Sequence, residues 1–340
     1  MQPLTIRRIV LTCAGLAAVL FAVSVVSLKL GAYPMSARDV VLTLVRRAIG
    51  HTDAIPSDFR LVIFGLRLPR IALGILVGVA LSVSGAGFQA LLRNPLADPY
   101  VLGVSSGAAL GAILSLVFTP HVPLAMQGAA FLGAAATIAA VYFLGRRGGQ
   151  LDSATLLLAG ILSASFLSAI IMFLMTTLSG RDLRGMAFWL MGDLSTAPPD
   201  WNLLGSLYVV LLAAVGAIYT TSSDLNLILT GEQEARHLGV NVGRVKLVVY
   251  VSASLLTGLA VSVSGSIGYV GLIVPHVMRM LFGSDYRILI PTTALGGAIA
   301  IVAADTLART VVAPTELPVG AMTALAGAPV FIYLLRRRLP

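Results

Sequence analysis

The sequence predicts an all-α, polytopic membrane protein of about ten transmembrane helices in two inverted repeats, and three observations carry that expectation. Of the 340 residues, 58% are hydrophobic and only 11% are Asp, Glu, Lys or Arg, whereas soluble domains carry roughly 25% charged residues. A bilayer core takes about 20 apolar residues of helix, and ten such runs lie near 9–28, 69–92, 101–119, 124–144, 155–178, 203–222, 245–265, 267–282, 288–307 and 319–335. Finally, Gly78-Val-Ala-Leu-Ser-Val-Ser-Gly85 recurs 180 residues later as Gly258-Leu-Ala-Val-Ser-Val-Ser-Gly265.

Taken in order, the first run follows Arg7 and Arg8 but has no small-x-small cleavage site before Lys29, so it reads as a retained anchor rather than a signal peptide. It holds Cys13, the single cysteine, which excludes an internal disulfide or a cysteine metal site. Residues 36–49 place apolar side chains at helical spacing behind Ser36, the pattern of a capped interfacial helix. The recurring octapeptide sits in the second and seventh runs, five crossings apart, so the copies run in opposite directions, a pattern of transporters. ALGAI (109–113) is echoed by ALGGAI (294–299). The chain therefore reads as a single membrane domain, 1–340, with repeat units of about 60–180 and 240–340. The run at 267–282 is short and contains Pro275 and His276, which suggests a broken span. Between the fifth and sixth runs, residues 179–200 should form a structured loop with Phe188, Trp189 and Trp201 at interface depth.

Net charge is +9, but the cations are parcelled out between apolar spans, which excludes nucleic acid as a partner. With both termini cytoplasmic, 13 of the 23 Lys and Arg residues fall inside. The positive-inside rule supports that orientation by a small margin, and outer cations such as Arg67, Arg70 and Arg309 need another explanation. No catalytic constellation assembles, since His51, His121, His237 and His276 are scattered and no phosphate-binding G-x-x-x-x-G-K-[ST] motif occurs. Leu178-Ser-Gly-Arg-Asp182 has only a chance likeness to an ATPase signature peptide. The chain is therefore read as a non-enzyme. Asp305, four residues before Arg309, reads as half of an intrahelical brace. The segment 223–241 is polar between two long spans. Gly231 precedes a short helix with Glu232 and Glu234 in its first turn, where the helix dipole favours carboxylates, and Gly239 can end it.

RLPR (67–70), GAGFQALLRNPLADPYVLGVSSGAALG (85–111), GEQEARHLGV (231–240), GSIGYVGLIVPHVMR (265–279) and ELPVGAMTALAGAP (316–329) together resemble the successive motifs of the FecCD-type permease family of type II ABC importers. The resemblance covers nearly the whole chain. It implies ten helices per subunit in a bacterial inner membrane, a second permease subunit, usually a second copy, an ABC ATPase subunit carrying the ATP and Mg, and a periplasmic substrate-binding protein. No cofactor is expected in this chain, and the cargo would be an iron-siderophore, heme or cobalamin chelate. By the same resemblance, Glu232, Glu234, Ala235, Arg236 and Gly239 form the coupling helix that contacts the ATPase. Arg67, Arg70 and Arg309 match arginines that dock the binding protein. Ser153 and Thr155 match the cytoplasmic gate, although Asp152 and Ala154 depart from its hydroxyl-rich pattern. Ser163, Ser165, Ser168, Thr176 and Thr177 would line the path along the fifth span. The rival reading is an ion-coupled secondary transporter, which also has inverted repeats but should hold carboxylates in mid-span; an intramembrane enzyme would have to rest on His276 with Asp305.

Overall fold

The computed structural model describes residues 5–338 except 32, 34, 120–121, 123, 148–149, 177, 179 and 196–199. Thr177 and His121 thus lie outside the described residues. The helices are α1 Ile6–Lys29, α2 Ala37–Ala48, α3 Ser57–Arg60, α4 Leu68–Leu91, α5 Val104–Phe118, α6 Ala125–Leu144, α7 Ser153–Met175, α8 Gly180–Leu190, α9 Trp201–Thr220, α10 Ser222–Thr230, α11 Glu232–His237, α12 Val242–Ser264, α13 Val270–Phe282, α14 Tyr286–Ala308 and α15 Val319–Arg338. The only described strands are β1 Arg146–Arg147 and β2 Gln150–Leu151, a two-residue antiparallel clip between α6 and α7.

Among the described residues, seven helical segments are long and apolar enough to cross a membrane, and three shorter apolar ones lie at 104–118, 270–282 and 319–333. These coincide with the ten expected runs. Ten crossings would put the start of α1 and the end of α15 at one end of the bundle, termed the near end; the opposite one is the far end. Arg8 donating to the Phe282 carbonyl at 3.3 Å agrees with this, since it ties the start of α1 to the end of α13.

The core is organised around α4, which is apolar on all sides, as a helix surrounded by protein must be. It packs against α9, α12, α13 and α14. The packing has an internal symmetry: exchanging α4 with α12, α5 with α13, α6 with α14 and α7 with α15 turns the α4–α14 contact into α12–α6, and α4–α13 into α12–α5, all of which exist. The recurring octapeptide explains the first pair. A methyl group on Gly78 would overlap the Gly297 carbonyl of α14, and one on Gly258 would press on Ala134 of α6 at 3.3 Å. Equivalent glycines thus let equivalent helices approach closely, as small residues do in membrane interfaces.

Two departures from expectation concern interruption and burial. The short α13 has a counterpart in α5, which begins only after a loop and a 3-10 turn at Pro99–Leu102; the apolar run at 101–119 concealed that break. Trp189 is buried, because α8 folds back so that its end lies against Gly265, whereas Phe188 and Trp201 are exposed. The amphipathic α2 is as expected: Ser36 Oγ accepts from Asp39 N and Asp39 Oδ2 accepts from Ser36 N, each at 3.1 Å, a reciprocal capping box.

Candidate functional site

The two interrupted entries meet inside the bundle. Tyr100, in the turn before α5, donates its hydroxyl to the Ile267 carbonyl and accepts from Ile267 N, both at 3.0 Å, and Ser105 Oγ donates to Ser266 Oγ at 3.0 Å. Two motifs singled out in the sequence, 85–111 and 265–279, are therefore joined through backbone and hydroxyl groups that an unbroken helix would have spent on itself. Gln89 adds a second tie, donating to the Leu272 carbonyl at 3.2 Å while accepting from Arg279 Nη2 at 3.2 Å.

At the near end, the polar segment 223–241 folds as two helices, α10 and α11. Gly239 ends α11 at φ 87°, in the left-handed region as expected. The Glu232 carboxylate pairs with Lys246 Nζ of α12 at 2.6 Å. Asn226 of α10 donates to Asp285 Oδ1 at 2.8 Å and accepts from Tyr286 N at 2.9 Å, binding the segment to the start of α14. Bonds to the Arg287 guanidinium pull the Asp285 carboxyl down to about 2. Asn226 was missed in the sequence, where nothing local marks its partner. Glu234, Arg236 and Gly239 are exposed, with Gln233, His237 and Leu238 beside them. Ala235 departs from expectation: it is fully buried and faces back into the bundle, because the face of a six-residue helix that seats it cannot also be presented outward.

At the far end, the three arginines expected to dock a partner are turned inward. The Arg67 guanidinium donates to the carbonyls of Leu28 at 2.6 Å and Lys29 at 3.2 Å, and to Tyr33 at 2.6 Å. That of Arg309 donates to the carbonyls of Ser27 at 2.6 Å and Leu30 at 2.9 Å. Four successive carbonyls ending α1, which have no partner within the helix, are thereby satisfied by two cations at the negative end of its dipole. Arg70 reaches Asp305 Oδ1 at 2.8 Å and Glu316 Oε2 at 2.8 Å. Arg309 Nε lies 3.4 Å from Asp305 Oδ2, the expected brace. Arg67, Arg309 and Asp305 are all buried, so this network locks α1, α4 and α14 together instead of forming an outward-facing basic patch.

The residues expected at the gate are also engaged. Asp152 caps α7, accepting from Thr155 N at 2.9 Å and Thr155 Oγ1 at 2.5 Å, while Ser153 Oγ donates to the Leu91 carbonyl at 3.3 Å. The departure at Asp152 is thus the N-cap of the helix. Along α7, Ser165, Ser168 and Thr176 are exposed and Ser163 is half-buried. Ser165 and Thr176 bond their own helix, to the carbonyls of Ile161 at 3.0 Å and Phe173 at 2.6 Å, and Ser168 Oγ sits 3.5 Å from Ser106 Oγ of α5. Exposed Leu162, Phe166 and Met172 stand among them, giving a mixed surface of hydroxyls and bulky apolar groups.

The family model of the FecCD transport family matches residues 19–337. Similar proteins include the cobalamin import system permease protein BtuC of Halobacterium salinarum, 43% identical over 84% of this chain and 76% of that one. The hemin transport system permease protein HmuU of Yersinia pestis is 41% identical over 92% of this chain and 91% of its own. Among solved structures, an inward-facing conformation of a metal-chelate type ABC transporter superposes with a TM-score of 0.81 at 32% identity, covering 97% of this chain and 100% of that one.

Proposed function

This chain belongs to the FecCD transport family, and from that membership we propose that it is the membrane permease subunit of an ABC importer for metal chelates of the siderophore, heme and cobalamin class. Loaded binding protein delivers the chelate at the far end, and ATP hydrolysed with Mg on a separate subunit drives release at the near end, which is cytoplasmic in a bacterial inner membrane. The chain has no phosphate-binding loop of its own. It works as a single domain with repeat units 60–180 and 240–340, paired with a second copy.

The observation that carries this reading is the mounting of α11. Its outer face is exposed, while Glu232–Lys246 and Asn226–Asp285 tie the segment to α12 and α14, both of which pack on α4. A push on Glu234, Arg236, Leu238 or Gly239 would therefore reach the crossing of the two interrupted entries. Ser153 and Thr155 keep the proposed gate role by fixing the start of α7 beside the end of α4. The exposed hydroxyls of α7, with Ser163, face the path between the two subunits. The three arginines serve docking indirectly, as the braced platform under the binding protein, with exposed Arg38 on α2 as a cation that can meet it.

The test is uptake into proteoliposomes holding the permease, its ATPase and binding protein loaded in turn with heme, cobalamin or a ferric siderophore. Uptake of one chelate that requires both ATP and the binding protein is expected. Uptake driven by an ion gradient without the ATPase would overturn the proposal in favour of a secondary transporter.

A further inference from the structure

On the bundle surface, α6 and α12 enclose an apolar groove of about 380 Å³. It is hollow because Gly258 forms part of its floor and Ala135 and Ala139 part of its rim, while Phe131, Leu247 and Val251 build the walls. Adjoining it, beside α11, is a second pocket of about 430 Å³ that shares Tyr142 and Leu247 with it. The chemistry changes abruptly there: Arg146, Arg236 and Lys246 line the second pocket against the single carboxylate Glu232. Arg146 marks the junction, its guanidinium lying 5.4 Å from the centre of the Tyr142 ring. A cleft that is apolar across part of the membrane and cationic at one bilayer edge has the form of a lipid, with chains in one part and headgroup in the other.

We propose that these two adjoining pockets together bind one anionic phospholipid, with an acyl chain between α6 and α12 and the phosphate beside Arg146, Arg236 and Lys246. The choice of an anionic lipid follows from the charge balance of the pocket, and basic pockets between membrane helices bind such headgroups. The inference is independent of what the protein carries. It places a lipid beside α11, since Glu232 and Arg236 of that helix line the headgroup pocket.

The full chain is purified into nanodiscs of phosphatidylcholine with a minor fraction of phosphatidylglycerol, and the lipids retained on the protein are identified by native mass spectrometry. Phosphatidylglycerol should be enriched over its bulk share by about fivefold or more, the ratio expected from a basic side chain near a membrane surface. Arg146→Glu should abolish the enrichment and Arg146→Lys should keep most of it. Ala139→Phe, which fills the groove from its exposed rim, should abolish it with the cations intact; Ala135→Phe serves the same purpose if the first variant is not monodisperse. Soluble glycerol phosphate should not displace the lipid. The site is refuted if the unmodified chain shows no enrichment, if either charge reversal or groove filling leaves it unchanged, or if glycerol phosphate competes, which would indicate an anion pocket without a lipid.

Discussion

At the far end Arg67, Arg70 and Arg309 spend their donors on α1 carbonyls, Asp305 and Glu316, whereas at the near end α11 turns one buried alanine and one ion pair inward and leaves most of its surface exposed. Both segments carry the charged, family-like sequence expected of a docking surface. They differ in what stands beside them. The arginines adjoin a helix end with unmet carbonyls and a buried carboxylate, and a cation placed there is worth more inside than outside. Beside α11, Lys246 on α12 pairs with Glu232, while Gln233, Glu234, Arg236 and His237 are exposed. Charge in a motif therefore indicates that a polar partner exists, and the fold decides whether that partner belongs to the same chain.

The comparison can be broken most severely at Asp305. Asp305→Ala leaves Arg70 and Arg309 buried without their shared counter-charge, and breaking a buried pair from one side costs about 3–5 kcal/mol. The expected result is a large fall in folded yield and in the melting temperature in detergent; an unchanged melting temperature would mean the network contributes nothing. Arg67→Gln should cost about 1.5–3 kcal/mol, the range for hydrogen bonds to charged groups, and loosen the end of α1, read as faster proteolysis or hydrogen exchange around residues 27–33. If Arg67 instead served mainly to dock a partner, exchange there would not move and binding-protein affinity alone would fall.

The near end should respond oppositely. Leu238 is 66% exposed, so Leu238→Asp should leave melting within about 0.5 kcal/mol, as surface changes do, yet weaken ATPase association by about tenfold or more. Ala235→Asp, by contrast, should damage folding, because Ala235 is buried. Glu232→Gln removes the ion pair to the buried Lys246; ATPase association should persist, while stimulation of ATP turnover by loaded binding protein weakens. The smallest effect concerns pH. Since the Asp285 carboxyl is held near about 2 in the folded chain, below its ordinary 3.8, its stabilising contribution is present above the ordinary value and is lost only as pH falls through about 2. Melting of Asp285→Asn relative to the unmodified chain should show the same difference throughout about pH 5–8.

What the sequence disclosed depended on the range of each signal. Spans, the Ser36–Asp39 capping box and the glycine limits of α11 follow from residues within a few positions of one another, and all were legible. The paired role of Gly78 and Gly258 was visible as repetition, though not the helices each would meet. The inward turn of the arginines was hidden for a definite reason: most of their acceptors are backbone carbonyls at and just beyond the end of α1, which every sequence possesses, and Arg70 finds Glu316 at a separation of 246 residues. Likewise the break before α5 left no mark in hydropathy, because its turn is built from Pro99, Tyr100, Val101 and Leu102.

That break has a mechanical consequence. With Tyr100 holding both the N–H and the carbonyl of Ile267, the turn before α5 and the turn before α13 are fastened to each other. A displacement imposed on either turn is therefore passed to the other through these two bonds. Neither turn can be carried away by its own helix unless the Tyr100 hydroxyl first releases Ile267.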